Sequence, residues 1–399
     1  MQIPQRFYSL DLVRGLASLA VVFWHWQHFF YDGSTFSRYV MEAQPFYSVF
    51  FVLYKTGWLA VDFFFSLSGF IFFWLYAQKI AERRVGGWEF FVLRFSRLYP
   101  LHIATFIFVL LLQHWIFTHT GDYFVTPFND AYHGFLQLFM ASNWGFQKGA
   151  SFNGPVWSVS IEVLMYMLFF LLCLTFRMRI WAMVAMVVLG ALMSAWQQEI
   201  ARGLFSFFIG GLLFRFYRLL CEKDLVQRAS VIVVSSALLL WLATLLEVRY
   251  SWFWPQVEIM LQSLLPAPLD GLVPQLCHMA MRFMPVGILF PLTILALALV
   301  ETWRGHLGRR LAAISNLTYA SYLLHFPLQM VLWTVVMQAG GDKSFFYKDS
   351  TMLLFFAVLI PLCLASYYYF EAPAQTRLRT MMLSVGRKVP LLPPKQPQQ

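Results

Sequence analysis

The sequence predicts an all-α, polytopic membrane bundle of about ten transmembrane helices, on three grounds: apolar composition, apolar runs near twenty residues, and uneven placement of the basic residues. Of the 399 residues, 60% are hydrophobic and 12% charged, and the mean hydropathy is +0.63. Soluble domains carry about twice that share of charge, so the solvent is lipid. The runs lack the short alternation of an outer-membrane barrel, and hydrocarbon admits only helices or closed barrels because every backbone polar group must be satisfied internally. No polar stretch is long enough for a separate soluble domain. Residues 1–376 therefore read as one membrane domain. A basic, Pro-rich tail at 377–399 reads as disordered, with Val389–Gln399 of low complexity.

The first expected span, Leu10–Phe30, follows the N-terminus with no small-residue cleavage pattern, so it reads as retained and not as a removable signal. It carries Arg14 and His25. The second, Gly57–Ala77, carries Asp62 and is followed by the basic cluster Lys79, Arg83, Arg84, Arg94 and Arg97. The third, Leu98–Phe117, leads into a long outer loop, Thr118–Gly154, and the fourth, Pro155–Phe176, carries Glu162. Short connections separate Ile180–Trp196, Gly203–Leu219 and Ala229–Leu246. A second long outer loop, Glu247–Arg282, precedes Phe283–Val300; Ile314–Met337 then carries His325, and Thr351–Phe370 closes the set. With the N-terminus inside, 21 of the 29 Lys and Arg fall on the inner side, which the positive-inside rule favours. Both termini are expected in the cytoplasm.

The formal charge of +10 does not point to nucleic acid, because the basic residues are scattered through short loops instead of gathered on one face. Cys173, Cys221, Cys277 and Cys363 form no CxxC pair and no zinc spacing, so neither a disulfide nor a metal is implied. No internal repeat of the inverted-transporter kind is visible. Both long outer loops carry aromatic residues among polar ones. A sugar or lipid could rest there, although Trp and Tyr also gather at headgroup level for packing alone.

Charged groups at a helix centre cost roughly 2.5–3.5 kcal/mol each on insertion scales, so those inside the spans need a partner or a purpose. Arg14 and His25, eleven residues apart, are separated by about 16 Å along a helix axis and about 20° around it. They share a face that could line a slot through much of the membrane, suited to a long anionic ligand. The plain alternatives are pairing of Arg14 with Asp11 or with lipid phosphate, and a structural hydrogen bond for His25. His28 reads as interfacial. Asp62 and Glu162 fall in the same outer layer as His25, where a carboxylate could fix the imidazole tautomer, or simply pair with another helix. His325, near the middle of its span, is a further candidate. Arg94 and Arg97 are one turn apart at the inner surface, a spacing that grips phosphates, those of lipid included.

These residues fall within longer motifs. Leu10-Asp11-Leu12-Val13-Arg14-Gly15 with His25 makes an Arg-x10-His pattern; Val61-Asp62 opens the run to Ser68-Gly69-Phe70; and Arg94-x-x-Arg97 leads into Leu98-Tyr99-Pro100. Asn153 precedes Val156-Trp157-Ser158-Val159-Ser160-Ile161-Glu162, then come Ser321-Tyr322-Leu323-Leu324-His325 and Phe370-Glu371-Ala372-Pro373. In this order the chain resembles acyltransferase family 3, the bacterial inner-membrane enzymes that O-acylate lipopolysaccharide and other surface glycans. The resemblance implies acetyl-CoA as donor, a lipid-linked or membrane-associated glycan as acceptor, and location in the inner membrane. It implies that Arg14, Arg94 and Arg97 serve the donor. His25 is then the expected general base, Asp62 or Glu162 its orienting partner, and His325, Trp157 and Ser158 the expected acceptor contacts. A covalent route through Ser68 or Ser158 is secondary, since neither sits in a nucleophile motif. Some relatives carry a fused SGNH hydrolase-like domain, and with about 28 residues after Glu371 none is expected here. The competing expectation is a proton-coupled transporter or flippase using the same buried charges.

Overall fold

A computed structural model of the chain describes residues 3–177, 179–264, 271–305, 309 and 312–386. Its described residues form helices and turns, with one isolated bridge between Asp32 and Thr35 and no strand. Helices among the described residues include α1 (Tyr8–His25), α2 (Ala60–Phe72), α3 (Gly87–Thr120), α4 (Val156–Phe176), α5 (Ile180–Met193), α6 (Gln198–Glu222), α7 (Val226–Tyr250), α8 (Phe290–Arg304), α9 (Leu317–Gln338) and α10 (Asp349–Ala365). Eight helices, counted among the described residues, are long and apolar enough to cross a bilayer. The expectation of ten adds α1, whose Asp11, Arg14 and His25 lower its apolar character, and α5, which has only 14 residues. The tail expected from 377 is helical at first: Ala372–Gly386 is a continuous helix packed on α3, and 387–399 lie outside the described residues.

The chain places α1 centrally, against α2, α8, α9 and the turn Ala312–Asn316. Its first turn is held by a buried acid of α8: Glu301 accepts from the Tyr8 and Ser9 amides at 2.8 and 2.9 Å and from the Ser9 hydroxyl at 2.6 Å. Amides left over at a helix start need an acceptor, and a carboxylate there also meets the positive end of the helix dipole. At its other end α1 tightens into the 3-10 turn Trp26–Phe30, whose Trp26, Phe29 and Phe30 are fully buried. This fixes the depth and rotation of Arg14 and His25 together.

Helices α2 and α6 pack most closely, because small residues face each other where they cross. A methyl group on Gly69 would overlap the Phe207 carbonyl, and one on Gly210 the Ser66 carbonyl. Close backbone approach through small residues is the usual way membrane helices gain packing when both faces are as apolar as lipid. Phe70, Phe72, Phe73, Phe169, Phe207 and Phe208 fill the space around the crossing with edge-to-face ring contacts. Gly69→Ala is expected to destabilise the fold by about 1–3 kcal/mol through overpacking. A thermal melt in detergent checks this, and an unchanged midpoint would show that the crossing has slack.

Candidate active site

The half of the bundle at the His25 end of α1 holds a cavity of about 320 Å³ walled by α1, α2, α4, α6 and the loop before α4. His25 lines it, with the indoles of Trp24, Trp58 and Trp157. The polar wall consists of Gln137, Asn143, Gln147, Ser151 and Gln198, and two charged residues, Glu199 and Arg202, complete it. Concavity, aromatic walls and a few convergent polar groups are the marks of a small-molecule site.

The loop wall is pinned at several points. His133 accepts the Lys148 amide at Nε2 (3.1 Å), so its proton lies on Nδ1 and is donated to Asp130 at 2.7 Å. Asp130 also caps the helix Ala131–Leu138 through the His133 amide. That amide, then the imidazole, holds the exposed Asp130 carboxyl below the usual carboxylate range. From α3, the His102 ring bonds the Gln137 carbonyl at 2.8 Å, while the Trp144 indole donates to Ser160 of α4 at 2.8 Å.

His25 meets His325 of α9 across 300 positions of sequence: the two rings stack at 7° with Nδ1 and Nε2 2.8 Å apart. His325 Nδ1 lies 2.9 Å from the Ser321 carbonyl, which can only accept, so that nitrogen carries the proton. Nε2 of a neutral His325 is then an acceptor, and His25 Nδ1 must donate to it. The nitrogen of His25 left with a free lone pair is Nε2. Gln329 adds a second restraint, donating from Nε2 to the His25 carbonyl at 2.9 Å and accepting from His28 at 3.2 Å.

Two carboxylates expected beside His25 are engaged elsewhere. Asp62 binds Arg202 of α6, with 2.6 Å to Nη2 and 3.1 and 3.2 Å to Nε, and Arg202 is further stacked between Trp58 and Trp157 at 5.2 and 5.0 Å. Glu162 accepts from the Ser68 hydroxyl at 2.7 Å and from the Tyr166 hydroxyl. The physical reason is competition: a buried guanidinium and two hydroxyls answer these acids more fully than one neutral imidazole does. Expected acceptor contacts divide as well. Trp157 lines the cavity, His325 stands behind His25, and Ser158 is buried in a hydrogen bond with the Tyr322 hydroxyl.

The three arginines lie toward the basic end. Arg94 donates to the Tyr76 hydroxyl at 2.6 Å and stacks on Phe72 and Tyr76, the latter within the π-helical turn Phe73–Ala77 that follows α2. Arg14 reaches Asp11 at 3.3 Å. Nε of each is buried without a partner, and Arg97 is exposed without an ion pair or hydrogen bond among the described residues. Arg97 lies within electrostatic reach of both other arginines, and Glu162 does too for Arg14 and Arg94. A concentration of cations with unanswered N–H groups fits an anionic, phosphate-bearing ligand. Among the described residues no group of three or more His, Cys, Asp or Glu side chains is arranged to hold a metal ion.

Sequence reasoning missed Arg202, Gln329, Gln137 and Tyr76. Arg202 had a signal: an arginine at the edge of an apolar helix and an unpartnered Asp62 each need the other. The glutamines had none, since an amide inside a helix is unremarkable until its neighbours are known.

A family model described as an acyltransferase domain matches residues 7–371 of the chain. Among curated proteins, the chain is similar to "Protein 2 in picA locus" of Rhizobium radiobacter, 35% identical over 100 residues, which cover 25% of this chain and 42% of that protein. No solved structure matches the chain.

Proposed function

The chain belongs to the acyltransferase domain family, and from that premise we propose that it moves an acetyl group from cytoplasmic acetyl-CoA onto a hydroxyl of a lipid-linked or surface polysaccharide sugar. The observation that carries this reading is the single helix α1, which brings Arg14 to the basic end and His25 to the cavity at the other. In this reading Arg94 and Arg97 hold the donor phosphates, Arg14 and Glu162 guide the arm that bears the thioester, and the cavity receives the acceptor. The protein lies in the bacterial inner membrane with both termini cytoplasmic, as its basic loops favour.

His25 Nε2 takes the proton of the acceptor hydroxyl while the hydroxyl oxygen bonds to the thioester carbonyl carbon. The carbon–sulfur bond then breaks, and His25 returns the proton to the departing sulfur. His325 is a positioning residue: it fixes the tautomer and stabilises the imidazolium formed in between, the part a carboxylate takes in other triads. Asp62 acts through Arg202 by holding Trp58 and Trp157 in the cavity wall.

The test uses purified protein in liposomes with acetyl-labelled acetyl-CoA and a mixed glycan–lipid extract. Label is expected to move to glycan with wild type and not with His25→Ala. A wild-type protein that neither binds nor consumes acetyl-CoA would shift the reading to transport. Arg97→Ala is expected to raise KM for acetyl-CoA at least roughly tenfold, the value of one charge-assisted hydrogen bond, with kcat little changed. Initial rates would contradict this by showing kcat reduced at constant KM.

A further inference from the structure

Resting on the acyl-transfer reading, we infer that the cavity selects an uncharged sugar residue as acceptor and discriminates against uronate- or phosphate-bearing ones. Anionic sugars are recognised by guanidinium or ammonium groups whose charge is unanswered, and among the described residues the one such group lining the cavity, Arg202, is paired with a carboxylate. Its guanidinium spends Nε and Nη2 on Asp62, gives Nη2 also to the Trp58 carbonyl at 2.9 Å, and lies over the Trp58 and Trp157 rings at 5.2 and 5.0 Å. Glu199 adds a carboxylate to the lining. The next cation outward, Arg282, sits 5.5 Å over Trp58 within electrostatic reach of Asp62 and Glu199, so two acids offset two arginines. Lys148, in the loop that forms the wall, turns its ammonium over Tyr132 at 6.0 Å.

What the cavity does offer matches neutral sugar chemistry. Its indoles present flat faces to the C–H side of a pyranose, and its amides pair with vicinal hydroxyls, which donate as well as accept. Gln137 sharpens the distinction. Its Nε2 donates to Ser151, while its buried Oε1 has no donor. A ligand hydroxyl can supply that donor; a carboxylate or phosphate, which only accepts, cannot.

Calorimetric titration of the full-length protein in nanodiscs, without donor, tests this with a panel of short neutral oligosaccharides and their uronate-containing counterparts. The neutral members are expected to bind at least tenfold tighter, and Glu199→Lys is expected to narrow that ratio. Equal or tighter binding of the uronates, or no binding by any neutral member, would overturn the inference. Labelled acetyl-CoA is then added. Preferential binding of neutral sugars without acetyl movement supports the charge preference while defeating the acyl-transfer reading, so the two fail separately.

Discussion

His25→Ala is expected to lower acetyl transfer by about 10²–10⁴, the usual contribution of a positioned general base, while leaving acetyl-CoA binding intact. The asymmetry follows from geometry: His25 lies at the cavity, whereas the arginines proposed to hold the donor lie eleven or more residues away in sequence at the basic end. His325→Ala is expected to fall between wild type and His25→Ala, because it releases the tautomer without removing the base. His325→Gln, which restores an acceptor near His25 Nδ1, should recover part of the loss in kcat. A purely packing role for His325 predicts instead that Ala and Gln behave alike and that thermal stability moves with activity. Single-turnover assays on the three variants, with acetyl-CoA binding measured in parallel, separate these outcomes.

Asp62→Ala is expected to destabilise the fold by about 3–5 kcal/mol, since it strands a buried guanidinium. The Asp62 side chain is 3% exposed and that of Arg202 14%, so water can relieve little of the imbalance. The double variant Asp62→Leu, Arg202→Met should recover most of the stability, because an apolar pair of similar volume removes both charges at once. Unfolding titrations of the three proteins in detergent give the coupling. A single Asp62→Ala variant with unchanged stability and no activity would return Asp62 to the chemistry at His25.

The helical bundle was legible in the sequence because lipid leaves a chain little choice of form, and apolar length alone marks most spans. That one helix carries both Arg14 and His25 was legible too, since the apolar run holds them eleven residues apart. What the sequence could not specify was azimuth between helices. Depth places His25, Asp62 and Glu162 in nearby layers, but not which of them face one another, and the contact that formed joins His25 to a residue 300 positions away. Glu162 is turned toward Ser68 and Tyr166 by the packing of α4 on the end of α2. The polar wall of the cavity was equally hidden, because Asn143, Gln147 and Ser151 lie in a loop whose course is set by His102, His133 and Ser160 on other segments.

Glu301 clamps the start of α1 and the Trp26–Phe30 turn buries its end, so the helix is anchored at both ends. In the proposed reading its rise works as a ruler of about 16 Å between Arg14, which guides the donor arm, and His25, which takes the proton. On that reading donors are sorted by reach before they are sorted by acyl group: a thioester tethered too short would stop short of His25, and one tethered too long would overshoot it.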